Sequence, residues 1–202
     1  MPWRPHVYPV AIDQVLDGGR LATLSDVDAE EADESGYLAG NQMYQDLRGY
    51  GWSDVAAAVE AERRFIARLQ AADDLDDEAQ RIDDERLDCF EPSDGLWELD
   101  IGVAAATIAL SALGATPVGS CNAGGFGGHH QAQYPYVAFY VNADAADLIL
   151  ALARAADIGL RGDESGLAQI YGAGDLDLLR FAETALKSQG STAPSPGSGA
   201  SN

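Results

Sequence analysis

Two runs favourable to β-structure, Thr116 to Ser120 and Tyr136 to Val141, are joined by residues 121–135, a link rich in Gly, Asn, Gln and His. Such a link is a poor helix former, so it cannot supply the crossover that a parallel strand pair requires. A doubly wound parallel sheet is therefore excluded, and the two strands are expected to pair as a hairpin.

The flanking pattern extends this unit. Leu96 to Leu113 reads as a mostly buried helix, with Ala104, Ile108 and Leu110 among small residues and Gly114 as its stop. After the hairpin, Asp144 is placed to cap a helix running to Ala156, followed by a strand from Leu167 to Tyr171. Asp175 then caps a last helix through Leu186. The order helix, strand, strand, helix, strand, helix predicts an α+β fold: a small antiparallel or mixed sheet with helices packed on it.

Ahead of this core, which is expected to span residues 93–187, the chain reads as a mainly helical, acidic segment over 1–92. Val7 to Ile12 suits a short strand, Asp17-Gly18-Gly19 a turn, and Asp28 to Arg48 a loosely amphipathic helix ending at Gly49 and Gly51. Ser53 is expected to cap a better helix, in which Val55, Val59, Phe65, Ile66 and Leu69 recur near helical spacing. Pro92-Ser93-Asp94-Gly95 marks the boundary. Residues 188–202, all Ser, Gly, Pro, Ala and other small or polar types, are expected to be a disordered tail.

With 47% hydrophobic residues over 202 positions, the chain can bury a core without metals or disulfides. Cys89 and Cys121 are too few and too far apart for a disulfide framework, and both are expected to be thiols. No apolar run is long enough to span a membrane, and the first residues lack the pattern of a secretory signal, which makes the cytoplasm the expected compartment.

The net charge of -21 disfavours nucleic acid and anionic membrane surfaces as partners and favours a basic protein or a cation. Lys187 is the only lysine, and the excess acid also fits simple selection for solubility. The densest acid runs from Asp73 to Asp88 and is expected to be solvated. It has no glycine at the sixth position of an EF-hand loop, so calcium is not indicated.

Functional groups concentrate in one stretch, Gly119 to His130. It holds Cys121, two of the three histidines, His129 and His130, and five glycines that permit a close backbone approach to a ligand. The leading expectation is a small-molecule-binding protein or cysteine-dependent enzyme acting here. Cys121 would be the nucleophile, His129 or His130 the base, and Asn122 the orienting group. Ser120, Gly124, Gly125, Gly127 and Gly128 would surround the ligand, with Asp100 as a further contact.

Cys121, His129 and His130 could instead ligate zinc, completed by Cys89, Asp94, Glu98 or Asp100, but adjacent histidines and the missing Cys pair argue against it. No metal or cofactor is assigned. A phosphate cradle is weaker still, since a strand rather than a helix follows the loop. Tyr134, Tyr136, Phe139 and Tyr140 read as core and cross-strand residues, and acids at the start of the Leu96 helix read as capping groups. The competing expectation is a non-enzymatic acidic binding module, immunity-like, antitoxin-like or regulatory, whose Asp73 to Asp88 face engages a basic protein.

Overall fold

The computed structural model describes residues 3–41, 43–87, 96, 99–126 and 132–192. Among them, five strands form one mixed sheet: β1 (Gln14–Val15), β2 (Thr116–Cys121), β3 (Tyr136–Tyr140), β4 (Gly159–Gly162) and β5 (Ala168–Tyr171), in the order β1-β4-β5-β3-β2. Only the β1–β4 pair is parallel. The helices are α1 (Asp26–Ser35), α2 (Trp52–Ala71), α3 (Leu75–Leu87), α4 (Ala104–Ala112), α5 (Ala143–Ala155) and α6 (Asp177–Thr192). This is the expected α+β architecture, and the glycine-rich link does join antiparallel neighbours.

Alternation along the strands decides what each sheet face does. Val137 and Ile170 face each other in register and are fully buried, together with Phe139, against a core built by α2, α4, α5 and α6. Ala138 and Gln169, one residue on, point to the opposite face. There a second, smaller cluster forms from Ala32, Tyr44, Val118 and Ala138, with Tyr136, Tyr140 and Leu167 beside it. The shift of register between Pro117 and Gly119 is a bulge in β2, the edge strand.

Several boundaries fall elsewhere than the residue pattern suggests. Val7 makes an isolated bridge to Gly174, and the N-terminal strand lies later, at Gln14–Val15. The helix expected over Asp28 to Arg48 stops at Ser35, because Gly36 takes φ 66 and closes it, and the chain then runs as a loop to Gly51. Gly51, not Ser53, starts α2, its N–H donating to Asp54 Oδ2 at 2.8 Å. The helix expected from Leu96 begins only at Ala104, after a turn in which Gly102 takes φ 96. Asn142 caps α5 by accepting from Ala145 N at 2.9 Å, in place of Asp144.

β4 has no apolar alternation and was not anticipated. The acidic run is partly α3, which sets Ile82 into the core and ties Glu78 and Glu85 to Arg68 of α2 at 2.8 and 2.7 Å. Arg81 adds a second ion pair to Glu78. α6 continues to Thr192, past the expected start of the tail, and residues 193–202 lie outside the described residues. Among the described residues no helix is long and apolar enough to cross a membrane.

Candidate functional site

The glycine loop leaves β2 at Cys121 and folds back at once. Asn122 is buried and engaged at both ends of its amide: Nδ2 donates to the Ile101 carbonyl at 3.0 Å, and Oδ1 accepts from Gly124 N at 2.9 Å. Ala123 and Gly124 both take left-handed backbone, φ 57 and 79, which lets the chain turn so tightly. The loop is thereby pinned to the turn preceding α4.

The N-terminal segment is strapped over this loop. The Trp3 ring stacks on Phe126 with centroids 6.0 Å apart, and its Nε1 donates to the Gly125 carbonyl at 3.1 Å. Asp175 lies beneath, 2% exposed, its Oδ1 accepting from the Tyr8 hydroxyl and its Oδ2 from the His6 backbone N–H, each at 2.7 Å. His6 Nδ1 lies 3.4 Å from the same Oδ2. A Cβ on Gly125 would run into the Asp175 carboxylate, so only glycine fits there. Asp175, read from the sequence as a helix cap, is instead the buried anchor of this strap, and Asp177, the first residue of α6, reaches back to accept from Ala173 N and Gly174 N in the preceding turn.

Cys121 is half-buried and pairs in register with Tyr136. Its Sγ lies 3.4 Å from Ala123 N. Burial raises the Tyr136 phenol, and the charges of Cys121 and Tyr134 add to the effect. Tyr8 is raised far more, by burial first and then by its hydrogen bond to Asp175 and the charges of Asp175 and Cys121. Cys121 thus neighbours the Tyr136 and Tyr8 phenols, while His129 and His130, its expected bases, lie outside the described residues, as do Gly127, Gly128, Cys89, Asp94 and Glu98. Among the described residues no three His, Cys, Asp or Glu side chains come together as a metal site.

Beside Cys121 a cleft of about 750 Å³ opens on the face of the sheet away from the main core. Its floor is Val118, Gly119, Ser120 and Ala138, with Tyr136 and Gln169 at the sides. Its wall is the loop from Ala39 to Leu47, which the broken helix after Gly36 releases to cross the edge strand. Asn41 Nδ2 holds that loop to the Val118 carbonyl at 2.9 Å, and Ser111 Oγ of α4 donates to the Leu47 carbonyl. Leu99, Asp100 and Thr107 close the far end.

Tyr44 in this wall is 3% exposed, and its hydroxyl has no hydrogen-bond partner among the described residues. Burial, reinforced by the charge of Asp46 and opposed by Arg48, pushes its phenol up to about 12, so it stays protonated. At the side of the cleft, Gln169 Oε1 accepts from Arg161 at 3.0 Å, and that guanidinium also lies over the rings of Tyr134 and Tyr171.

Of the residues singled out by sequence, Ser120 and Asp100 line the cleft together, Cys121 and Asn122 follow Ser120 in the chain, Gly124 is held by Asn122, and Gly125 packs under the strap. Tyr44, Asn41, Gln169, His6, Tyr8 and Asp175 were not anticipated. They come from segments far away in the chain, and no local spacing connects them to the glycine loop. Comparison with known proteins gives no match to a family model, a curated protein or a solved structure.

Proposed function

We propose that the protein binds a small organic molecule in the cleft between the open sheet face and the Ala39 to Leu47 loop. The observation that carries this reading is the cleft itself. Its volume of about 750 Å³ suits a small ligand, and apolar residues such as Val118 and Ala138 share its lining with the polar Ser120 and Gln169.

The test fills the cleft from its floor. Ala138→Phe projects a ring into the space from the middle of β3. A small-molecule library screened by thermal shift should contain compounds that raise the melting temperature of the wild type and leave Ala138→Phe unmoved, as expected when ligand binds only the folded state. Compounds that stabilise both proteins equally, with none selective for the wild type, would contradict the reading.

A second reading, thiol chemistry on the bound molecule, is supported by Cys121 lying one residue beyond the cleft's Ser120 and in register with its Tyr136. The rate of Cys121 alkylation against pH, in a Cys89→Ser background, tests it. Fast labelling near pH 6 is expected of a nucleophile, and slow labelling that rises only at alkaline pH marks a structural thiol.

A further inference from the structure

We infer that the molecule held in this cleft is a short extended peptide, which adds itself to the sheet along the outer edge of β2. This rests on the cleft being a ligand site and names the class of ligand.

The direction of each backbone group in β2 follows from its neighbours. Gly172 N donates to the Pro135 carbonyl at 3.0 Å, so Pro135, and at the two-residue period of a strand Val137 and Phe139, turn their backbone polar groups toward β5. Tyr136 and Ala138 therefore turn theirs toward β2, where they stand opposite Cys121 and Gly119. Ser120, between those two, directs its N–H and C=O away from the sheet. The Val118 carbonyl points the same way, since it accepts from Asn41 Nδ2 at 2.9 Å. Among the described residues the outward N–H and C=O of Ser120 have no such partner.

The cleft passes round this edge. Ala138 and Gln169 line it from the sheet face away from the main core, Thr107 of α4 lines it from the other side, and Pro117 to Ser120 lie between. Gly119 keeps the approach open, because a Cβ built there would meet nothing within 4 Å.

An N–H and a C=O on one residue, aimed the same way, are matched by the C=O and N–H of one residue in an extended chain, the closely spaced pair of an antiparallel ladder. Asn41 shows what the edge accepts: its primary amide stands where the next N–H of an added strand would, and its Oδ1 is steadied by Met43 N at 3.0 Å. Edges are commonly closed by proline or by a covering loop. Here Pro117 has no N–H to offer and the Asn41 loop takes Val118, which leaves Ser120 as the open position inside the cleft.

The probe is a pool of acetyl-capped, amide-ended pentapeptides of mixed sequence, titrated into the full chain and followed by the NMR signals and hydrogen exchange of the Gly119, Ser120 and Ala138 amides. The Ser120 amide should exchange fast alone and become protected with peptide. The same pool with N-methylated backbones should bind about tenfold more weakly, as loss of a peptide N–H donor predicts. Ser120→Pro removes the outward N–H and spares the bonds that Gly119 and Cys121 make to β3, so it should abolish the shift that peptide causes at Ala138. The N-methylated pool needs no variant, so it decides the matter even if Ser120→Pro does not fold. Equal binding by the two pools, or peptide binding that leaves Ser120 exchanging as fast as before, would overturn the pairing. Protection of Ser120 that grows with protein concentration in the absence of peptide would give the edge to a second copy of the chain and overturn it equally. If the pool has no effect while non-peptide compounds stabilise the wild type and not Ala138→Phe, the peptide class fails and the cleft stays a ligand site; if neither binds, both fail.

Discussion

Glu62 is fully buried on α2, where its Oε1 accepts from Gly102 N at 2.7 Å and Ala104 N at 2.9 Å while Oε2 has no hydrogen-bond partner among the described residues. It therefore caps α4, which has no capping side chain of its own. Burial raises its carboxyl from 4.5 to about 7, against the pull of those amides and of Arg86. A carboxyl raised on folding contributes stability that is fully present below its unfolded value and is lost as pH rises through the folded one. Stability should accordingly fall by on the order of 3 kcal/mol between about pH 4.5 and 7 from this group, and Glu62→Gln should flatten that slope in urea titrations run across the interval. A slope unchanged by the substitution would show that Glu62 ionises as freely folded as unfolded.

Asp175 belongs to the same scale. Asp175→Ala leaves the Tyr8 hydroxyl and the His6 amide without their acceptor, at a cost of about 1–3 kcal/mol. Because Tyr8 N donates to the Ala173 carbonyl at 2.8 Å within the same strap, its amide should also exchange faster in the variant. Exchange at Tyr8 as slow as in the wild type would mean that the strap is held without Asp175. Neither residue could be read from its neighbours in sequence. Glu62 sits among charged residues that face solvent, and Asp175 looks like a helix cap, so what identifies both is a partner more than thirty residues away.

At the scale of elements, α2 was plain because its apolar residues repeat at helical spacing, and the β2–β3 hairpin was plain because branched and aromatic residues flank a link unable to cross over. The opposite case is β4, Gly159-Leu160-Arg161-Gly162, which has neither alternation nor a strong strand former beyond Leu160. It exists because β5 and β1 pair with it on its two sides and because Gly159 leaves room for the Tyr171 ring, which occupies the place of a side chain there. Gly159→Ala should cost about 1–3 kcal/mol by overpacking, measured by denaturant unfolding. A neutral result would mean that the ring shifts without loss, although the Tyr171 hydroxyl is fixed by Asp13 N and the Ala11 carbonyl, both at 3.0 Å.

The loop from Gly36 to Gly51 is the other instructive element. Its composition permits a helix, and Asp28 to Arg48 reads as one, yet Gly36 in the left-handed region ends α1 early. That single stop frees the residues that wall the cleft. Of the residues legible in the sequence, Ser120 and Asp100 line the cleft, at its floor and its far end, while its wall was not legible, because the wall depends on where a helix ends and on which strand is an edge.

Across the whole molecule, the negative charge acts on stability. Self-repulsion at a net charge of -21 should make the urea midpoint rise with added salt, as screening relieves it. Ion pairs such as Arg68 with Glu85, which salt weakens, act in the other direction and are worth little singly at the surface. A midpoint that falls with salt would show that the paired arginines outweigh the unpaired acids.

The cleft is the claim on which the functional account stands. Its most direct test is to dialyse the wild-type chain and Ala138→Phe against the same cell extract and to identify retained small molecules by mass spectrometry. One or a few compounds should be enriched on the wild type and absent from Ala138→Phe. Retention of an identical set by both proteins, or of nothing by either, would contradict it.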